Sequence, residues 1–176
     1  MSDQADDGVV IGRRVRVEQR RLARRDGRTE LREMVVHPGT VVLLPLLDDG
    51  RLVLVRNRRF AVERTLLELC AGTLEEGEDV ASCAARELQE ETGYRAARVE
   101  PLLAFYAGPG SSNERVHVFV ARGLVAGAQQ LDQAEQIQVV TLTLTDVIEL
   151  ILKGEIEDAK TIASVLFFHT WAANQP

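Results

Sequence analysis

Residues 72–94 read GTLEEGEDVASCAARELQEETGY. In the second half, Arg86-Glu87-Leu88-Gln89-Glu90-Glu91, acidic side chains recur at i, i+3 and i+4. On a helix, Glu87, Glu90 and Glu91 share one face within about a turn. Like charges that close repel, so the helix gains nothing from them unless a cation sits among them. Oxygen donors on a rigid helix suit Mg²⁺ or Mn²⁺; the other reading is a solvated acidic face. Val80, Ala84 and Leu88 form the apolar stripe, Glu78 or Asp79 can cap the start, and Gly93 ends the helix. Gly72, just ahead, permits close backbone approach or a positive φ.

Upstream, Leu66–Leu69 is a short apolar strand carrying Glu68, and it leads into Ala71-Gly72. Before it, Val41–Leu47 and Arg51–Val55 flank Asp48-Asp49-Gly50 and read as a hairpin. Their near-continuous Val and Leu predict burial on both faces. Arg56, Arg58 and Arg59 leave the second of these strands. Guanidiniums at the end of a buried strand are costly to desolvate unless paired. From there they can reach a cleft, and Arg suits a bidentate grip on phosphate; plain surface charge is the alternative for Arg56 and Arg58.

His37-Pro38-Gly39 is a break that divides residues 1–38, a polar tail and a β-arm, from residues 39–176, the main domain. In the arm, Val15–Arg24 and Thr29–Val36 flank Asp26-Gly27, a two-residue hairpin signal. Nine arginines lie between Arg13 and Arg32. They read as a solvated charged arm, as a positive rim for an anionic ligand, or as a surface that pairs with a second subunit. Residues 1–12 read as a frayed tail.

Downstream, Val99–Tyr106 and Glu114–Ala121 are strands around the Gly108-Pro109-Gly110-Ser111-Ser112 loop. Gly127–Gln136 is a polar loop with Asp132 and Glu135, and Ile137–Leu144 is a further strand. Thr145 caps a helix from Asp146 to Lys153, and Asp158 or Ala159 starts a terminal helix reaching about Ala173. Ile162, Val165, Leu166 and His169 mark its inner face. His117 and His169 read as ordinary, partly buried histidines and Trp171 as packing. Strands in the middle with about three helices predict an α/β fold, a mixed sheet covered by helices.

The chain of 176 residues is long enough for one domain with a sizeable core and a small appendage. A net charge of −6 argues against a nucleic-acid or membrane binder, and the arginine-rich arm lacks the aromatics of a single-strand reader. The acidic N-terminus is not a secretory signal, and the longest apolar runs are too short to span a bilayer. Cys70 and Cys83 make no disulfide framework and read as buried thiols of a reducing compartment, the cytoplasm.

The spacing Gly72, five residues, Glu78, seven residues, Arg86-Glu87-Leu88, one residue, Glu90-Glu91, one residue, Gly93-Tyr94 resembles the Nudix box in every defined position. That family hydrolyses nucleoside diphosphates linked to another group, using Mg²⁺ or Mn²⁺. Glu68-Leu69-Cys70-Ala71-Gly72 resembles the lead-in of its ADP-ribose and nucleotide-sugar branch, with Cys70 where proline is usual. Pro109, 15 residues past Tyr94, and the loop through Glu114 are similar to that branch, as is Glu155–Thr161. The resemblance covers about residues 13–172 and implies a Nudix α/β/α sandwich with a small N-terminal antiparallel β subdomain.

Carried over by position, the resemblance makes Glu87 and Glu91 the main metal ligands, Glu90 a partial or water-mediated one, and the Ala71 carbonyl a further one. Arg86 would pair with Glu78 or a neighbouring carboxylate and hold the loop against the helix. Arg59 matches the arginine that grips the diphosphate, with Arg56, Glu68 and Pro109 as further substrate-side candidates. Glu135 is the favoured general base, with Asp132 or Glu114 as the alternatives; Gln138 stands where an acid is common. Glu114 would bind metal through water, contact substrate, or be a plain strand-edge charge. The implied reaction splits ADP-ribose or a related nucleoside diphosphate sugar into a nucleoside monophosphate and a sugar phosphate. GDP-mannose or UDP-sugars are alternative substrates. The implied assembly is a homodimer in which each arm helps bind the partner's base. A catalytically silent ligand-sensing member is the reading from another class; such domains tend to lose the box carboxylates, which this chain keeps.

Overall fold

The computed structural model describes residues 10–11, 16–133 and 135–174. Residues 1–9 and 12–15, where most of the expected tail, the start of the first arm strand and Arg13 and Arg14 fall, lie outside the described residues. Within that tail, Val10–Ile11 (β1) pairs antiparallel with Arg16–Ala23 (β2), which pairs with Thr29–Val36 (β3). The β2–β3 turn is longer than the two-residue signal suggests. Arg24 and Arg28 also exchange a bond, leaving a three-residue loop with Gly27 at φ 78°. A type I turn followed by a left-handed glycine has this geometry.

Thr40–Pro45 (β4) is the centre of the molecule. It pairs parallel with Arg115–Ala126 (β9) and antiparallel with Ala71–Thr73 (β7), and Tyr94–Tyr106 (β8) completes a mixed sheet of order β7-β4-β9-β8. Leu52–Arg59 (β5) lies instead between Ile137–Leu142 (β10) and Arg64–Glu68 (β6) in a second, antiparallel sheet. The expected β4–β5 hairpin is therefore corrected. The turn forms, with Leu47 N–H donating to the Arg51 carbonyl, but beyond one bridge from Leu46 to Leu52 the strands part into different sheets. Burial on both faces of β4 holds. Val41 and Leu43 face Cys83, Ala84 and Leu88 of the helix Val80–Thr92 (α1). Val42 and Leu44 face β5 and the helices Leu144–Leu152 (α2) and Ala159–Ala173 (α3) on the other side. Leu88 and the four β4 side chains from Val41 to Leu44 are essentially fully buried, each worth about 1.5–3 kcal/mol.

Three local readings change. The cap of α2 is Thr143, not Thr145: Thr143 and Asp146 form a reciprocal capping box. The buried face of α3 is Thr161, Ser164, Val165 and Phe168, whereas Leu166 and His169 are exposed. Strand β8 starts at Tyr94, directly after Gly93, and absorbs an irregularity between Pro101 and Leu103. Among the described residues no helix is long and apolar enough to cross a membrane.

Candidate active site

Helix α1 is held at both ends by its own sequence. Asp79 accepts from the Ser82 N–H at 3.0 Å, and Gly93 closes the helix at φ 75°, its N–H donating to the Gln89 carbonyl. Leu88 and Ala84 seat the helix on β4, which turns Glu87 and Glu91 toward β7. Glu91 is buried, and its Oε2 accepts the Ala71 N–H at 3.0 Å. Glu87 lies directly over Gly72: a Cβ built there would stand 1.8 Å from the Glu87 Cδ. The sequence left Gly72 between close approach and positive φ; the structure selects close approach, since its φ is not positive. Only a residue without a side chain lets this carboxylate reach the backbone.

Arg86 binds the loop to the helix. Its Nε and Nη2 donate to both oxygens of Glu78 at 2.9 and 3.0 Å, and its Nη1 donates to Glu87 and Glu90, each at 2.8 Å. Glu78 in turn accepts the Glu75 N–H. The guanidinium beside it holds Glu78 down to about 2. Burial pushes Glu87 up, with Arg86 opposing and Glu90 and Glu135 adding like charge. Burial likewise pushes Glu91 up to about 7, against the Ala71 and Cys70 donors, with Glu87 adding to the rise. Two desolvated carboxylates side by side are a site that a cation would relieve. Cys70 and Cys83 are buried free thiols, held well above their ordinary range by burial, Cys83 at about 12.

A cleft of about 850 Å³ opens over this cradle. Ala71, Gly72, Glu87, Glu90 and Glu91 line its floor. The loop after β9 supplies another wall. Gln129 Nε2 and the Gln130 N–H donate to the Glu91 and Glu90 carbonyls, which draws Asp132 and Glu135 into the cleft. Glu135 Oε2 accepts the Asp132 N–H at 3.1 Å. Arg59 lines the cleft from the end of β5. Its Nε and Nη2 grip both oxygens of Glu68, which is buried to 1% exposure, and the pair raises the Arg59 pKa. Glu68 thus faces Arg59 with both oxygens engaged, and it orients that guanidinium.

The remaining candidates sit elsewhere. Strand alternation turns Arg56 and Arg58 to the face opposite Arg59, where both are exposed. Pro109 is exposed on its loop, and Glu114 accepts from the Thr40 hydroxyl at 2.7 Å. That loop is stitched to the arm: Val35 N–H donates to the Ser111 carbonyl, and Asn113 N–H to that of Val35. Arg16, Val36, His37 and Pro38 from the arm also line the cleft. Arg16 belongs to the arginine cluster that reads as a positive rim, whereas Val36, His37 and Pro38 carry no site signal, because His37-Pro38-Gly39 reads only as a break and the contact that brings it in is non-local.

The donor set fits a hard divalent cation. It consists of carboxylates and backbone oxygen, without the sulfur or imidazole of softer sites, and Gly72 leaves a cradle that a Cβ would fill. Among the described residues no three acidic, histidine or cysteine side chains already converge at ligating distance; Arg86 draws Glu87 and Glu90 to itself.

The chain matches the family model of the NUDIX domain over residues 36–165. It is 40% identical over 152 residues to an ADP-ribose pyrophosphatase of Bacillus subtilis (strain 168), covering 85% of this chain and 82% of that protein. It is 36% identical over 161 residues to the methanol dehydrogenase activator of Bacillus methanolicus, covering 90% and 87%. It is 34% identical over 141 residues to a GDP-mannose pyrophosphatase of Citrobacter koseri, covering 75% and 73%. The fold is that of a solved ADP compounds hydrolase, with a TM-score of 0.83 over 95% of this chain and 91% of that one at 24% identity. The glycine cradle, the three box carboxylates and these likenesses together make the chain a member of the Nudix family.

Proposed function

We propose that this Nudix pyrophosphohydrolase splits the diphosphate bond of ADP-ribose or a related nucleoside diphosphate sugar, releasing a nucleoside monophosphate and a sugar phosphate. The observation that carries the reading is the Gly72–Glu87–Glu91 cradle under a cleft that also holds Arg59. Glu87 and Glu91, with Glu90 and the Ala71 carbonyl, would hold Mg²⁺ or Mn²⁺. Such an ion neutralises phosphate charge as it grows toward the transition state. Arg59, fixed by Glu68, grips one phosphate. Glu135 accepts the proton of the water whose oxygen bonds to phosphorus as the bridging P–O bond breaks; Asp132 shares its loop and is the alternative base. Arg86 holds Glu87 and Glu90 in register and stays off the substrate. GDP-mannose is the second substrate reading, supported by the likeness to GDP-mannose pyrophosphatases. The arm supports a homodimer, and the two buried free thiols support a reducing compartment, the cytoplasm.

The test is turnover of ADP-ribose, GDP-mannose, UDP-glucose and ADP-glucose with Mg²⁺, read as phosphatase-sensitive product. Hydrolysis of ADP-ribose or another of these sugars is expected, and no turnover of any would sink the reading. Glu135→Gln should lower kcat by about 10²–10⁴; unchanged kcat moves the base to Asp132 or Glu114.

A further inference from the structure

We infer that His37 is the side chain that recognises the base of the substrate's nucleoside half, an inference that rests on the reading above. The arm from Arg16 to Val36 contains no Phe, Tyr or Trp, so the aromatic ring nearest in sequence to its cleft end is the imidazole of His37, which lines the cleft beside Val36 and Pro38. That residue is braced from two sides. Its N–H donates to Asn113 Oδ1 at 2.7 Å, and its ring Nδ1 accepts the Gly39 N–H at 3.1 Å. Accepting at Nδ1 leaves the proton on Nε2 and fixes the ring's tilt. Gly39 is itself locked, with φ 123° and a built Cβ 2.7 Å from Leu74 Cδ1, and its carbonyl accepts the Leu74 N–H.

The segment leading into β4 places His37 relative to the carboxylates. Gly72, under Glu87, pairs with Val41, and His37 is four residues earlier. At roughly 3.3 Å per extended residue the two are up to about 13 Å apart. A diphosphate held at the carboxylates leaves the groups attached to it to run along the same cleft, whose lining includes His37. Val36 and Pro38 flank His37 with apolar surface, which suits a flat base better than a hydroxyl-covered sugar. A base against an aromatic ring is held by its π-face. Asn113 is then a positioning residue: it lies outside the cleft lining and acts through the His37 backbone.

The experiment titrates wild type, His37→Ala and Asn113→Ala with AMP, GMP and ribose 5-phosphate in Mg²⁺ by calorimetry, alongside steady-state kinetics and thermal melting. His37→Ala should weaken the tighter-binding of AMP and GMP about ten-fold and leave ribose 5-phosphate within about two-fold. In kinetics KM should rise by the same about ten-fold factor while kcat stays within about two-fold. Asn113→Ala, which keeps the ring, should show the same selectivity at about three-fold. Equal weakening of both probe types, loss confined to ribose 5-phosphate, or no change overturns the assignment while wild-type turnover keeps the enzyme reading standing. A wild type that neither turns over the sugars nor binds these probes overturns both.

Discussion

The β7–α1 cradle and the β2–β3 arm are built from the same two residue types, arginine and glutamate, and behave as opposites. In the cradle one guanidinium, Arg86, holds three carboxylates whose side chains are mostly covered, Glu87 to 13% exposure. In the arm, Arg16 and Arg20 meet Glu18, and Arg24 and Arg32 meet Glu30, with every arginine more than half exposed. Pairing in water is worth little, whereas a charge taken out of water must be answered. The difference is desolvation, and it divides the molecule into a part that does chemistry and a part that presents a surface.

The strongest way to break that contrast is Glu91→Gln. The amide keeps an acceptor for the Ala71 N–H and removes the charge. We expect kcat to fall about 10³-fold, roughly 4 kcal/mol of transition-state stabilisation, while melting in EDTA at pH 8 moves up because a desolvated charge is gone. Activity near wild type would remove Glu91 from the site.

The second expectation concerns the Arg59–Glu68 pair, which is asymmetric. Arg59→Ala leaves the Glu68 carboxylate buried and unanswered, costing about 3 kcal/mol of stability. Glu68→Gln leaves Arg59, itself 38% exposed, able to turn to water, so about 1 kcal/mol is expected. Urea denaturation of both variants checks the order, and equal losses would contradict the burial argument.

How much of this was legible beforehand follows the same division. The box spacing and the Gly93 stop are local, so α1 and its carboxylates could be read directly, while the cap, open between Glu78 and Asp79 in the sequence, is Asp79 in the structure. The Asp48-Asp49-Gly50 turn was legible, but not that β4 leaves its neighbour to pair with β9 more than seventy residues on. Strand partnership is settled by non-local packing, which a turn signal does not carry. An apolar pattern does not mark Thr161 as part of the inner face of α3. Its hydroxyl is buried between the Asp158 carboxylate and the Leu69 N–H, a polar group inside because it is satisfied there. His37 carries no local signal for the same reason as the β4 pairing: the contacts that hold it at the cleft are non-local, from its own N–H to Asn113 and from the Leu74 N–H to the carbonyl of neighbouring Gly39.

Linkage gives a third, smaller expectation. Burial raises Glu91 from 4.5 to about 7, so the folded metal-free protein binds its proton more tightly than the unfolded chain. This contribution is fully present below pH 4.5 and is lost as pH rises through about 7. Stability in EDTA should therefore drop by roughly 2 kcal/mol between pH 5 and 8 from this group. In Glu91→Gln that part of the slope should vanish, and Mg²⁺ should offset it in wild type. A slope identical in the variant would assign it to other groups.

The smallest expectation lies in the arm. Glu30 accepts from both Arg24 and Arg32 and sits opposite Leu22 in the ladder. By count of ion pairs it rivals Glu78 in the cradle. Its partners are largely solvated, so Glu30→Ala should change unfolding free energy by less than about 0.5 kcal/mol, with the difference vanishing in high salt. Glu78→Ala strips Arg86 of its bidentate partner and frees the Glu75 N–H, and should cost about 1–3 kcal/mol. Paired urea titrations at low and high salt read both. If Glu30→Ala matches Glu78→Ala, then arm and cradle are equally desolvated in solution, and the arm's outer face must be covered, by a second copy of this chain or otherwise.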